Sequence, residues 1–116
     1  YNMVKRIILI DLDGVLNEYK GDYNENYIPQ IKCGAKEFLK ELSTEFEIKI
    51  FTTRNKLLVS KWLIKNKIDK LISDITNIKE VSWLYIDDRC ITFDGNYTKT
   101  QEKIKQFEAW YSTKPL

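Results

Sequence analysis

With 116 residues, 43% of them apolar and 31% charged, the chain has the length and balance of one domain built around one core. Its formal net charge of +2 comes from interspersed signs and not from a basic block, so charge alone does not select a nucleic-acid backbone or an anionic membrane as partner. It contains no histidine. That excludes Ser-His-Asp and Cys-His catalysis and most zinc chemistry, and it leaves acid–base work to carboxylates, lysine and hydroxyls.

No apolar run is long enough to cross a bilayer, and the first residues lack the charged and apolar regions of a leader. Tyr1 and Asn2 precede Met3, which reads as the natural start. Cys33 and Cys90 lack metal-ligand spacing, so a reduced, cytoplasmic setting is expected.

The first element is the run Ile7-Ile8-Leu9-Ile10, which predicts a strand buried on both faces, as in the middle of a parallel sheet. It stops at Asp11-Leu12-Asp13-Gly14. In an open α/β sheet ligands bind beyond the carboxyl ends of the strands, which places both carboxylates in the crevice. Two acids that close repel unless a cation sits between them, and a hard, oxygen-seeking Mg2+ suits them. If the segment stays extended, period-two alternation turns Asp11 and Asp13 to the same side.

From Glu18 to Pro29 the chain is polar, with Tyr19, Tyr23 and Tyr27 at regular intervals and a turn or short hairpin predicted at Gly21-Asp22. From Gly34 onward, Ala35, Phe38, Leu39 and Leu42 follow helical spacing. Glu47 to Phe51 predicts a second strand, which closes in Thr52-Thr53-Arg54-Asn55. Asn55 can cap a helix that buries Leu58, Val59, Trp62 and Leu63. A short strand is expected around Leu71-Ile72, then a short helix starting at Thr76 and carrying Lys79. Trp83 to Ile86 predicts another fully buried strand, ending in Asp87-Asp88-Arg89. Ile91 to Phe93 suggests a fifth strand, and Thr98 with Gln101 a capping box for a last helix turning Ile104, Phe107 and Tyr111 inward. Strands alternating with helices predict a three-layer, Rossmann-like α/β domain with a mainly parallel sheet of about five strands.

Three strand ends thus bring polar groups to one rim: Asp11 and Asp13, Thr52 and Thr53, Asp87 and Asp88, with Lys79 just upstream of the last pair. Taken singly, the threonines are ordinary strand formers, Lys79 is one lysine among many, and Asp87-Asp88-Arg89 reads as a salt-bridged turn. Their order and shared placement carry the reading. From Lys5 to about Phe93 they resemble the haloacid dehalogenase-type phosphohydrolase superfamily. The first motif is matched by Asp11-Leu12-Asp13-Gly14, the second by Thr52 (with Thr53 a close contender), the third by Lys79 and the fourth by Asp87-Asp88.

The resemblance implies an Mg2+-dependent phosphatase in which Asp11 attacks phosphorus to give an aspartyl-phosphate. Asp13 would protonate the leaving oxygen and then activate water. Thr52 and Lys79 would bind the phosphoryl group, with Thr53, Arg54 and Gly14 on the substrate side. The metal would take Asp11, the Asp13 carbonyl and one of Asp87 or Asp88. Cap domains of this superfamily sit after the first motif or between the second and third. Here there is room only for a flap of about 15–29, so a capless, single-domain enzyme is expected. An open site suits a phosphorylated macromolecular end, or a small phosphorylated molecule enclosed by a second copy of the chain. Closing the fourth strand in Asp-Asp-Arg is similar to polynucleotide 3'-phosphatase domains, to some protein-phosphatase relatives and to small bacterial members with a Thr-x-Arg second motif. The flap carries Glu18, Asp22 and Glu25 against Lys20, which disfavours nucleic acid. A receiver-like module or a non-catalytic phospho-ligand binder is the competing reading. In a receiver, however, the adjacent acids come first and the lysine last.

Overall fold

The apolar run becomes strand β1 (Arg6–Asp11), and its residues set the register for everything beside it. In the computed structural model, which describes residues 4–111, β1 is followed by α1 (Ala35–Ser43), β2 (Phe46–Phe51) and α2 (Lys56–Lys65). A 3-10 turn (Asp69–Leu71), β3 (Asp74–Thr76), β4 (Leu84–Ile86) and α3 (Tyr97–Gln106) complete the order. The reading of Met3 as a start lies outside the described residues. No helix among those residues is long and apolar enough to cross a membrane.

The strands form one parallel sheet in the order β3-β2-β1-β4. Ile8 lies opposite Ile48 and Leu84, and Ile10 lies opposite Ile50 and Ile86. Side chains in a strand alternate, so Ile8, Ile10, Ile48 and Ile50 share a face. That face is buried beneath Ala35 and Leu39 of α1 and Val59, Trp62 and Leu63 of α2. Each fully buried aliphatic side chain stabilises the fold by about 1.5–3 kcal/mol relative to exposure. Asn55 starts α2 as its spacing predicts, its Oδ1 accepting from the Leu58 N–H at 3.1 Å.

The opposite face carries Leu9 between Lys49 and Tyr85. Residues 77–82 cross it: Lys49 Nζ holds Glu80 Oε2 at 2.8 Å, and the Tyr85 hydroxyl donates to the Glu80 carbonyl. The β1-to-β2 connection therefore passes over one face and the β3-to-β4 connection over the other. They part between β1 and β4, and such a switch point opens a crevice at the carboxyl ends of those two strands.

Several expectations are corrected. No helix starts at Thr76; Lys79 lies in an irregular crossing. Residues 77–83 must carry the chain across three strand spacings, about 14 Å sideways, whereas seven helical residues rise only about 10 Å. Near Leu71 a 3-10 turn replaces the strand, which begins at Asp74 after Ser73 N–H bonds to the Ile48 carbonyl at 2.8 Å. The Trp83–Ile86 run is not fully buried: Trp83 is 52% exposed, because β4 pairs with β1 alone. Ile91 to Phe93 stays irregular, so the sheet has four strands. The last helix starts at Tyr97, capped by Asn96 Oδ1 accepting from Lys99 N–H at 3.0 Å and not by Thr98. Ile104 of α3 faces out, 60% exposed, and Tyr111 lies beyond the helix.

The flap leaves and returns at one point. Asn17 pairs with Ile31 in an isolated antiparallel bridge, and Glu18 N–H donates to the Gln30 carbonyl at 2.9 Å. This is the base of a hairpin; its hydrogen-bonded turn lies at 24–27, with Tyr27 N–H donating to the Asn24 carbonyl at 3.2 Å, a few residues past the Gly21-Asp22 where a turn is predicted.

Candidate active site

Parallel register makes Asp11 and Asp87 neighbours, since Ile86 lies opposite Ile10 and one further step on each strand reaches the two acids. Asp88 follows. One carboxylate oxygen from each of Asp11, Asp87 and Asp88 falls within 4.8 Å of the others. Burial, first of all, pushes the Asp11 carboxyl up to about 8; a hydrogen bond with Asp88 and the charges of Asp87, Asp88 and Asp13 add to this. Asp88 Oδ2 is buried without a hydrogen-bond partner, which is costly unless a cation or donor takes it. A hard, all-oxygen donor set of three converging carboxylates fits a Mg2+ ion held by Asp11, Asp87 and Asp88.

Gly14 permits this approach. Its φ is 83°, and a Cβ there would overlap the Asp88 carboxylate. Its carbonyl accepts from Trp110 Nε1 at 2.5 Å, which brings the end of the described chain over the first motif.

Asp13 reaches the site by a different route from the alternation its spacing suggests. Residues 12–16 form a turn, with Leu16 N–H donating to the Leu12 carbonyl at 3.0 Å, so strand periodicity ends at Asp11. The Asp13 carboxylate accepts from Arg54 Nε at 2.8 Å and from Asn17 Nδ2 at 3.1 Å. Arg54 is only 5% exposed. Its Nη1 donates to the Asn24 carbonyl at 2.8 Å, its guanidinium carbon sits 4.5 Å from the Tyr23 ring centre, and its Nη2 is buried and unpaired. One side chain therefore ties Asp13 to the flap.

Thr52 is buried; its N–H donates to the Thr76 carbonyl and its Oγ1 accepts from the Arg54 N–H at 3.2 Å. That leaves its O–H free to donate. Thr53 is exposed. Lys79 is exposed as well, its ammonium 4.9 Å from the Tyr85 ring centre, and it lines a cleft of about 200 Å³ with Asp11, Phe51, Asp87 and Cys90. The acids of β1 and β4 and Lys79 thus share a rim, while Asp13, Thr52 and Arg54 gather beside it.

Two contributions had no reading in the sequence. Asn17 is fully buried and organises the turn: its Oδ1 accepts from Gly14 and Tyr19 N–H, both at 3.1 Å, while its Nδ2 holds Asp13. A polar residue directly after Val15-Leu16 was the available signal. Trp110 joins from the far end of the chain, where no local pattern marks it, and Tyr111, expected on the inner face of the last helix, joins from beyond that helix.

The family description "NLI interacting factor-like phosphatase" matches residues 6–110. The chain belongs to this family. NLI interacting factor-like phosphatases are haloacid dehalogenase-like, so the superfamily likeness and the α/β fold are borne out, and the chain is a phosphate-ester hydrolase and not a receiver module. A solved structure of a conserved protein from Bacteroides thetaiotaomicron resembles this NLI interacting factor-like phosphatase with a TM-score of 0.59 and 21% identity over 89% of this chain and 92% of that one. That likeness concerns the fold. No curated protein matches the chain.

Proposed function

We propose that this phosphatase is a Mg2+-dependent phosphomonoesterase that acts through an aspartyl-phosphate on Asp11. The observation that carries the reading is the convergence of one carboxylate oxygen each from Asp11, Asp87 and Asp88, all within 4.8 Å. When bound, Mg2+ supplies positive charge that offsets the repulsion between phosphate and carboxylates.

Asp11 is the nucleophile, and a carboxylate needs no separate base once ionised. Asp13 serves as general acid and then base, with Arg54 and Asn17 fixing where its carboxylate lies. Thr52 donates its free O–H to a phosphoryl oxygen, and Lys79 brings its charge from across the cleft. The leftover Nη2 of Arg54 is a further donor for the substrate, while Gly14 leaves room beside it. Exposed Thr53 has the weaker claim of the two threonines. The site lies open apart from a short flap, which suits a phosphorylated group carried on a larger molecule.

The test is turnover of p-nitrophenyl phosphate with Mg2+, combined with acid-quench trapping of a phosphoenzyme. Asp11→Asn is expected to lose at least about a thousandfold in kcat and to trap no phosphate. Equal turnover in the two proteins would remove Asp11 as nucleophile.

A further inference from the structure

The segment after α3 returns to the first motif, and its two aromatic residues do different things there. Trp110 fixes the segment by donating Nε1–H to the Gly14 carbonyl, 96 residues away in sequence. Its indole also lies 4.2 Å under the Lys32 ammonium. Tyr111 packs edge-on against both Trp110 and Tyr19, with ring centres 5.4 and 5.6 Å apart. Its ring edge and the Asp88 carboxylate crowd the same side of Gly14. Its hydroxyl lies beside Asp88 and the Arg89 guanidinium.

The Tyr111 hydroxyl and Asp88 Oδ2 are both buried, and neither completes a hydrogen bond. An unpaired buried donor next to an unpaired buried acceptor is a pairing that a small side-chain rotation closes. A carboxylate that ligates a cation through one oxygen is oriented by what holds its other oxygen.

We propose that Tyr111 is a positioning residue for Asp88: docked by Trp110 on the Gly14 carbonyl, its hydroxyl holds the Asp88 carboxylate in place for the divalent cation. This rests on the reading of Asp11, Asp87 and Asp88 as the Mg2+ site. It gives residues 107–111 a part in holding the metal site together.

Mg2+ titration of the full chain by calorimetry, in parallel with thermal unfolding of the metal-free protein, tests it. Tyr111→Phe keeps the ring and deletes only the hydroxyl. It should weaken Mg2+ binding about tenfold or more. The metal-free unfolding midpoint should stay within about 2 °C of the parent. The rate of p-nitrophenyl phosphate hydrolysis should recover at saturating Mg2+, so the Mg2+ requirement moves and the maximal rate does not. Trp110→Phe, which removes the anchoring N–H, should weaken binding in the same direction, whereas Tyr97→Phe on the exposed face of α3 should leave it unchanged. If the parent binds Mg2+ and Tyr111→Phe binds it equally well, the positioning role is overturned while the metal site stands. If the parent itself binds no Mg2+, the metal site falls and the inference falls with it.

Discussion

Arg54 Nε and Asp13 Oδ2 lie 2.8 Å apart although 41 residues separate them in sequence. The arginine side chain is 1% exposed and the aspartate 17%, so the cation depends on this partner more than the anion does. Removing one member of a largely buried pair leaves the other uncompensated. Asp13→Asn is therefore expected to lower stability by about 2–3 kcal/mol, less than a fully dry pair because Asp13 retains some solvent. Urea unfolding measures it, and an unchanged midpoint would show that Arg54 finds its counter-charge elsewhere. The catalytic effect of the same substitution should be read only where the variant is folded.

Arg54 also holds the flap, through the Asn24 carbonyl and the Tyr23 ring. Arg54→Ala removes both contacts together with the pair to Asp13. Limited proteolysis should then cut within residues 18–29 much faster than in the parent, because an exposed loop without its anchor opens locally. Equal cleavage rates would mean that the bridge at Asn17 and Ile31 is sufficient to hold it closed.

The Asp11 carboxyl sits at about 8, well above its ordinary 3.8, so between those pH values the folded metal-free protein binds a proton that the unfolded chain has released. Its stabilising contribution is complete below about pH 3.8 and fades as pH rises through about 8. Metal-free protein should therefore lose unfolding free energy between about pH 5 and pH 8, against the rising trend of ordinary paired carboxylates. Saturating Mg2+ should flatten or reverse this slope by favouring the ionised form. Chemical denaturation at a series of pH values, with and without Mg2+, gives both slopes; identical slopes would separate Asp11 from cation binding.

Gly14→Ala meets two obstacles: a positive φ of 83° and an overlap with the Asp88 carboxylate. The backbone term alone costs about 1–2 kcal/mol, and the overlap displaces Asp88. Activity should fall by more than about tenfold even at temperatures where circular dichroism shows a folded chain. Preserved activity would mean that Asp88 moves freely without loss.

Asn17→Ala leaves the buried Gly14 N–H unsatisfied and strips Asp13 of its second donor. A loss of about 2–3 kcal/mol is expected in urea unfolding. By contrast Asn55→Ala, which removes only a helix cap, should cost about 1 kcal/mol.

What could be read from the chain alone follows physical lines. Ile7 to Ile10 and Glu47 to Phe51 are strands because local pattern and tertiary burial agree there, and Asn55 marks a helix start because an Asx side chain can cap the first turn by itself. The acids were legible because strand ends in a parallel sheet must meet at one rim. Trp83 to Ile86 misled because an apolar run reports the tendency to be buried, and the neighbour that would bury this one did not form from Ile91 to Phe93. The helix expected at Thr76 failed on distance, a constraint that appears only once strand order is known. Arg54 turned inward and Trp110 arrived from the far end for the same reason: both are long-range contacts with no periodic trace.

One consequence follows from β4 having a single neighbour. Two of the three clustered carboxylates hang from a three-residue strand whose other edge meets no strand among the described residues, whereas Asp11 is anchored in the best-buried strand of the sheet. Fraying of β4 would therefore dismantle the cation's seat without unfolding the core, and apparent affinity would scale with the fraction of molecules in which that strand is docked. With the proposed metal site, amide exchange at Tyr85 and Ile86 should slow in proportion to Mg2+ occupancy, the ion then bracing this edge of the sheet.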